Sequence, residues 1–213
     1  MLAKEGRIIL IPLFFVTFGT GIFAHAWEST PLSILYGILG LFFLFSLNFF
    51  RDPKRVIPMD KKLIISPADG KVVKIEEVND PNVGESAKLV SVFLNVFNVH
   101  ANRVPIDGTV ESVERKSGKF LAAFDHKASD ENEQIITVLS HDSGKYKIKQ
   151  IAGLIARRIL CYAEVGVKMH KGGRLGFIRF GSRTDLIMPA HVAVQVELGQ
   201  KVIGGETIIG KIQ

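Results

Sequence analysis

The chain has 213 residues, of which 47% are hydrophobic, with a formal net charge of +6 at pH 7 and a single cysteine. That size allows one folded domain plus additional apolar sequence, and the lone Cys161 excludes a disulfide framework or a zinc cluster built within one chain. The positive balance fits a nucleic acid or an anionic membrane as partner, and the placing of the apolar residues decides between the two.

Residues 8–27 contain no ionisable side chain except His25, and residues 29–50 contain no charged side chain. Each run is long enough to cross a hydrocarbon core as a helix, and neither shows the polar face of a globular surface helix. Only Trp27-Glu28-Ser29-Thr30-Pro31 lies between them, room for a hairpin turn and no more. Lys4 and Arg7 flank the first run, and Arg51, Lys54 and Arg55 flank the second. The positive-inside rule therefore puts both outer ends, and the domain that follows, on the cytoplasmic side of the cell membrane. Ala24-His25-Ala26 has the look of a signal-peptide cleavage site, but the apolar run is long for such a segment and a second run with basic residues follows at once. The expectation is a two-helix membrane anchor over residues 1–55. Its basic flank (Arg51, Lys54, Arg55, Lys61, Lys62) would be drawn to anionic headgroups, so a membrane, and no nucleic acid, is the expected partner.

From residue 63 onward, short runs rich in Val and Ile are broken at close intervals by Gly, Pro, Asn and Asp, which predicts a mainly β domain over 56–213. Strands are expected over 70–78, 88–94, 108–115, 133–140, 145–151, 175–180 and 191–198. A helix is expected over 153–161, and residues 163–167 read as strand or turn. Pro67-Ala68-Asp69-Gly70-Lys71-Val72 returns as Pro105-Ile106-Asp107-Gly108-Thr109-Val110, each copy a turn feeding a strand. The glycine spacing of residues 196–210 has the form of the turns of biotinyl and lipoyl domains, without a carrier lysine. Together these features predict a barrel-like β sandwich. Cys161, in an apolar setting, reads as structural.

Near the C-terminus, two apolar strand-like runs pinch Gly181-Ser182 between them. A hairpin turn is the ordinary explanation; the chemical one is a reactive bond, because a Gly carbonyl without a Cβ beside it lies open to the neighbouring hydroxyl. Asp69 in 66–70, His100 in 97–105 and Ser182 in 180–182 are the parts of an acid–base relay, although singly each is an ordinary turn or strand-end residue. Jointly, and with Phe49-Phe50-Arg51-Asp52-Pro53 and residues 150–159 (Gln-Ile-Ala-Gly-Leu-Ile-Ala-Arg-Arg-Ile), these stretches resemble the phosphatidylserine decarboxylase proenzymes. The likeness is to the short form with an N-terminal membrane hairpin, and it runs from the second apolar run to the C-terminus.

The resemblance implies that the chain cuts itself between Gly181 and Ser182, giving chains 1–181 and 182–213 that stay together, and that Ser182 becomes a covalent pyruvoyl group. It implies that this group forms a Schiff base with the amine of phosphatidylserine, without a metal, and yields phosphatidylethanolamine. The family's relay histidine is the second of two, at the position of Arg103 here, so His100, in the matching stretch, is taken as the base and Asp69 as its orienting acid. Longer relatives carry Leu-Gly-Ser-Thr at the cut and a second His three residues after the first, where this chain has Phe180-Gly181-Ser182-Arg183 and Arg103. His126 is the alternative base. Arg157 and Arg158 are the candidates for the lipid phosphate, since Arg pairs bidentately with it; a solvated helix face is the plain alternative. Two rival functions are carried forward: a pyruvoyl decarboxylase of a soluble amino acid, and a membrane-tethered β-barrel adaptor with no chemistry.

Overall fold

The computed structural model describes residues 1–118, 132–153, 158–179 and 182–213. They fall into two compact units, Met1–Lys54 and Arg55–Gln213.

The first unit begins with a 3-10 turn, Lys4–Gly6, and continues as two helices, α1 (Arg7–Ala26) and α2 (Thr30–Phe49). Pro31 stands in the first turn of α2, where its missing N–H costs nothing. The helices pack on each other through contacts such as Phe14 against Phe43, with ring centroids 6.0 Å apart. Both are long and apolar enough to cross a membrane, and only 17% and 11% of their most apolar windows are buried. Core helices would be covered; these leave Ile8, Phe15, Phe18, Ile38 and Leu41 exposed, which suits association with a membrane.

The second unit is almost entirely β. Its strands are β1 (Leu63–Ile65), β2 (Gly70–Asp80), β3 (Gly84–Leu94), β4 (Ala101–Arg103), β5 (Gly108–Lys116), β6 (Gln134–His141), β7 (Gly144–Ala152), β8 (Ile159–Cys161), β9 (Lys168–Met169), β10 (Arg174–Ile178), β11 (Ser182–Met188), β12 (Val192–Val194), β13 (Lys201–Val202) and β14 (Ile208–Ile212). Eight form one curled half-barrel sheet in the order β13-β2-β3-β11-β7-β6-β5-β9. Two smaller sheets, β1-β14-β12 and β4-β10-β8, complete the domain. The concave core is filled from alternate positions of the long strands, including Val72, Val92, Leu94, Val110, Ile148 and Leu186.

The repeated Pro-x-Asp-Gly turns mark a structural duplication. Gly70 and Gly108 open β2 and β5, and each pairs with the second residue of a two-residue strand, Val202 or Met169. Each strand then shifts register just after its first valine, between Val72 and Lys74 or Val110 and Ser112. Val72 bonds Gln200 O and Gly199 N; Val110 bonds Val167 O and Gly166 N. Gly199 and Gly166 take the left-handed φ values of +88° and +84° that other residues avoid. Read inward from either edge, the large sheet therefore repeats one four-strand pattern, and β11 and β7 meet at its centre.

Two sequence expectations are corrected. The described end of the helix expected over 153–161 is strand β8: Ile159, Leu160 and Cys161 pair with Ile178, Phe177 and Gly176, a contact between distant segments that outweighs the local periodicity. Arg158 accordingly precedes a strand and does not lie on a helix. The strand expected over 191–198 is confined to Val192–Val194, because Gln195 turns to bond Ile209 O and Gly199 N bonds Val72 O. Residue 180, the expected end of the strand before the cut, lies outside the described residues.

Candidate active site

Strand β11 is the centre of the site. It is paired along its length, to β3 on one side and β7 on the other, and all seven of its residues are buried. Leu186 and Met188 belong to the main core, whereas Ile187 packs with Ala87 and Leu89 on the opposite face. Alternation therefore puts Ser182 and Thr184 on the core side and Arg183 and Asp185 on the other. Ser182 stands opposite Leu94 and Ala152. It is fully buried, and its Oγ has no hydrogen-bond partner among the described residues. An unpaired buried hydroxyl costs about 1–3 kcal/mol, and such a group calls for a reason such as catalysis. Gly181 and His126 lie outside the described residues.

The three predicted stretches are tied to one another through the main chain. His100 O accepts from Ile178 N (3.2 Å), four residues before Ser182, and Arg103 N donates to Pro67 O (2.8 Å), two residues before Asp69. The His100 side chain is buried, with its ring 6.4 Å from that of Phe177. Its Nδ1 lies 2.9 Å from Asn98 O. A carbonyl only accepts, so Nδ1 carries the hydrogen, and in the neutral ring Nε2 keeps the lone pair a base requires.

Asp69 is held firmly. Both carboxylate oxygens accept from Arg55 Nη2 at 2.8 Å, and Oδ1 also accepts from Gly204 N at 2.9 Å. The last bond belongs to the duplication, because Asp107 Oδ1 accepts from Lys171 N at the same distance in the other copy. The Arg55 pair is what sets Asp69 apart; Asp107 instead faces His170, at 3.4 Å. Burial alone would raise the Asp107 carboxyl, but the Lys171 amide and His170 hold it below the usual range. A polar cleft of about 430 Å³ opens at the Asp107 turn, lined by residues including Lys61, Asp107, Asp142 and Lys168. None of the predicted site residues line it.

Below Ser182 the core side carries a buried polar floor that the sequence did not single out. Gln150 Nε2 donates to Asn102 Oδ1 (2.8 Å), and Asn102 Nδ2 donates to Thr184 Oγ1 (3.3 Å). Gln150 Oε1 is buried without a partner among the described residues. Gly176 permits this close packing: a Cβ there would meet Leu160 O at 2.0 Å and Gln150 Nε2 at 2.7 Å. On the other face, buried Arg183 bonds Asp185 Oδ1 (2.7 Å) and Ser91 Oγ (2.8 Å). Cys161 is half-buried, with Sγ 3.6 Å from Thr137 Oγ1, as a structural cysteine would be.

Of the two predicted phosphate ligands, Arg157 lies outside the described residues. Arg158 is exposed, and its carbonyl accepts from Arg179 N (3.3 Å). No group of three or more His, Cys, Asp or Glu suited to a metal occurs among the described residues.

Comparison with known proteins identifies a family. The family model for phosphatidylserine decarboxylase matches residues 42–210. A phosphatidylserine decarboxylase proenzyme of Wolbachia sp. subsp. Brugia malayi is 46% identical over 216 residues, covering 98% of this chain and 90% of its own. Proenzymes of the same name from Cupriavidus pinatubonensis (42% over 214 residues, 100% and 95%) and Chlorobium limicola (43% over 181 residues, 85% and 84%) are also similar. The chain belongs to the phosphatidylserine decarboxylase family.

Proposed function

We propose that the protein decarboxylates phosphatidylserine to phosphatidylethanolamine, using a pyruvoyl group made from Ser182 when the chain cuts itself after Gly181. The observation that carries this reading is the buried hydroxyl of Ser182 at the head of a central strand, without a partner among the described residues, in a chain of this family. A group derived from Ser182 fits the position, because among the described residues no hydrogen bond holds Oγ back from attack on the preceding carbonyl.

In the cutting reaction, His100 Nε2 takes the Ser182 hydroxyl proton while Asn98 O fixes the ring through Nδ1. The orienting role expected of Asp69 falls to Asn98 O at Nδ1, while the Asp69 carboxylate accepts from Arg55 and Gly204 N. Ser182 Oγ attacks the Gly181 carbonyl, the C–N bond breaks, and an ester replaces the amide. Loss of the Ser182 Cα proton then breaks the Cβ–Oγ bond and releases the Gly181 carboxylate; water completes the change with loss of ammonia. The resulting pyruvoyl group supplies a ketone for the lipid amine and an electron sink for the loss of carbon dioxide.

The remaining work belongs to side chains. Full burial at residue 182 removes water that would stabilise the departing carboxylate. His100 returns a proton to the carbon that loses carbon dioxide, and Arg157 or Arg158 meets the lipid phosphate. The two chains, 1–181 and 182–213, stay associated because the smaller supplies β11 to β14, each paired with a strand of the larger chain or with its own neighbour. The helices of residues 1–55 anchor the enzyme, and their basic flanks favour a cytoplasmic catalytic domain. The test supplies phosphatidylserine and free serine separately to mature protein and follows carbon dioxide release. Turnover of the lipid alone is expected; equal turnover of free serine would overturn the lipid assignment.

A further inference from the structure

Residue 182 must meet water once, yet it is shielded from solvent. Its change from serine to a ketone consumes one water and releases one ammonia, whereas Ser182 is fully buried at the head of β11. A buried water is held by about three polar partners, so a water that reacts here needs donors and acceptors built into the floor of the site.

Gln150 has an acceptor to give. It is fully buried, pairs with Thr184 across β7 and β11, and stands diagonal to Ser182, whose own partner on β7 is Ala152. Paired residues point to one face, and diagonal neighbours lie about 7–8 Å apart, within reach of a long side chain. The Gln150 carboxamide has one orientation. Its Nε2 donates to Asn102 Oδ1 (2.8 Å) and to Leu160 O (3.4 Å); a main-chain carbonyl only accepts, so the nitrogen has to face Leu160. Oε1 is thereby fixed on the other side of the carboxamide, buried and without a partner among the described residues. Ser182 Oγ, on the same face, is in the same condition. Thr184 Oγ1, two residues along β11, accepts from Asn102 Nδ2 at 3.3 Å and keeps its own hydrogen to donate. An acceptor, a hydroxyl and a donor on one face are the partners a single water requires.

We infer that Gln150 Oε1, with Thr184 as second partner, holds the water that turns residue 182 into its ketone. Before the cut this water bridges Gln150 Oε1 and Ser182 Oγ. Once Oγ has left with the Gly181 carboxylate, residue 182 is a dehydroalanine, and a proton moves from its nitrogen to Cβ to give an imine. The water, bonded through one hydrogen to Gln150 Oε1, adds its oxygen to the α carbon. The C–N bond then breaks, and the nitrogen leaves as ammonia with both hydrogens of the water. The inference rests on the self-cutting reading above and gives its last step a water-positioning residue.

The test follows maturation of the full-length chain, synthesised cell-free in detergent, for wild type, Gln150→Met and Thr184→Val. Cutting is read on a denaturing gel. At each time the folded protein is treated with borohydride, which reduces a ketone at residue 182 to a lactyl end and an imine to an alanyl end, and intact mass of the smaller chain tells them apart. All three chains are expected to cut at the same rate. Wild type should give lactyl ends as cutting proceeds, whereas Gln150→Met should build up alanyl ends and lose their nitrogen about tenfold more slowly, the effect of one missing hydrogen bond. Thr184→Val, close in volume, should lag in the same direction, and it decides the question if Gln150→Met does not fold. Lactyl ends at the wild-type pace in Gln150→Met, or in Thr184→Val where that is the folded variant, would overturn the inference. Slow cutting without an excess of alanyl ends would also overturn it, since these residues would then serve the cut or the packing. A wild-type chain that never cuts would instead refute the reading on which the inference rests.

Discussion

Arg183 follows Ser182 and is 2% exposed, as a charged residue seldom is. Its Nε bonds Asp185 Oδ1 at 2.7 Å and its Nη2 bonds Ser91 Oγ at 2.8 Å, both on the face of β11 away from Ser182. Arg183→Met keeps the apolar stem and removes the charge, so a carboxylate that is itself 2% exposed loses its guanidinium. Breaking a buried pair from one side costs about 3–5 kcal/mol. At about 2–4 °C per kcal/mol for a domain of this size, Tm should fall by about 6–20 °C. Adding Asp185→Asn removes the second charge as well, and the double variant should recover about 2 kcal/mol relative to the sum of the singles. The assay is thermal melting of the full chain in detergent, followed by circular dichroism, with Ser182→Ala present throughout so that every sample is one chain. A cost below about 1 kcal/mol for Arg183→Met, or strict additivity, would refute the claim that this ion pair seats the strand.

Other substitutions probe the chemistry and the packing. Ser182→Ala should remain uncut and inactive, and His100→Ala should cut far more slowly than His126→Ala, as gel bands over time would show; normal cutting by His100→Ala and failure by His126→Ala would reverse the choice of base. Gly176→Ala drives a methyl into Leu160 O and should cost about 3 kcal/mol or more, visible as loss of soluble protein or a large fall in Tm. For pH, burial would raise the Asp80 carboxyl, but Lys147 at 2.6 Å and the amides of Asn82 and Val83 hold it below its ordinary value. A lowered folded-state pKa contributes stability that is full above the unfolded value near ~3.9 and disappears as pH falls through the folded one. Urea midpoints should therefore drop below about pH 4, and Lys147→Met should flatten that part of the profile.

Local features of the sequence were legible and long-range ones were not. The two apolar runs declare α1 and α2 because an uninterrupted hydrophobic segment needs no partner to be recognised. The Pro-x-Asp-Gly repeats declare the starts of β2 and β5, since a turn is encoded in a few adjacent residues. Strand β8 was misread because Ile159–Cys161 takes its conformation from residues 176–178. The two-residue strands β9 and β13 are too short to carry a pattern.

At the site, Asp69, His100 and Ser182 could be named from residue type, but the atoms that hold them could not. Arg55 read as a membrane flank, yet its guanidinium grips Asp69 fourteen positions on. The partner of His100 Nδ1 is the main-chain carbonyl of Asn98, which any residue would provide. Gln150 and Asn102 both lay in stretches already singled out, but their bond spans 48 positions and carries no signature in either stretch.

The central claim is that Gly181-Ser182 is the reactive bond, and intact-mass measurement of the purified, active full-length protein tests it most directly. Two chains are expected, 1–181 and 182–213, with the smaller lighter by one ammonia than a chain beginning in serine and reactive toward a carbonyl reagent. A single chain of 213 residues with unmodified Ser182, in protein that releases carbon dioxide from phosphatidylserine, would contradict the account.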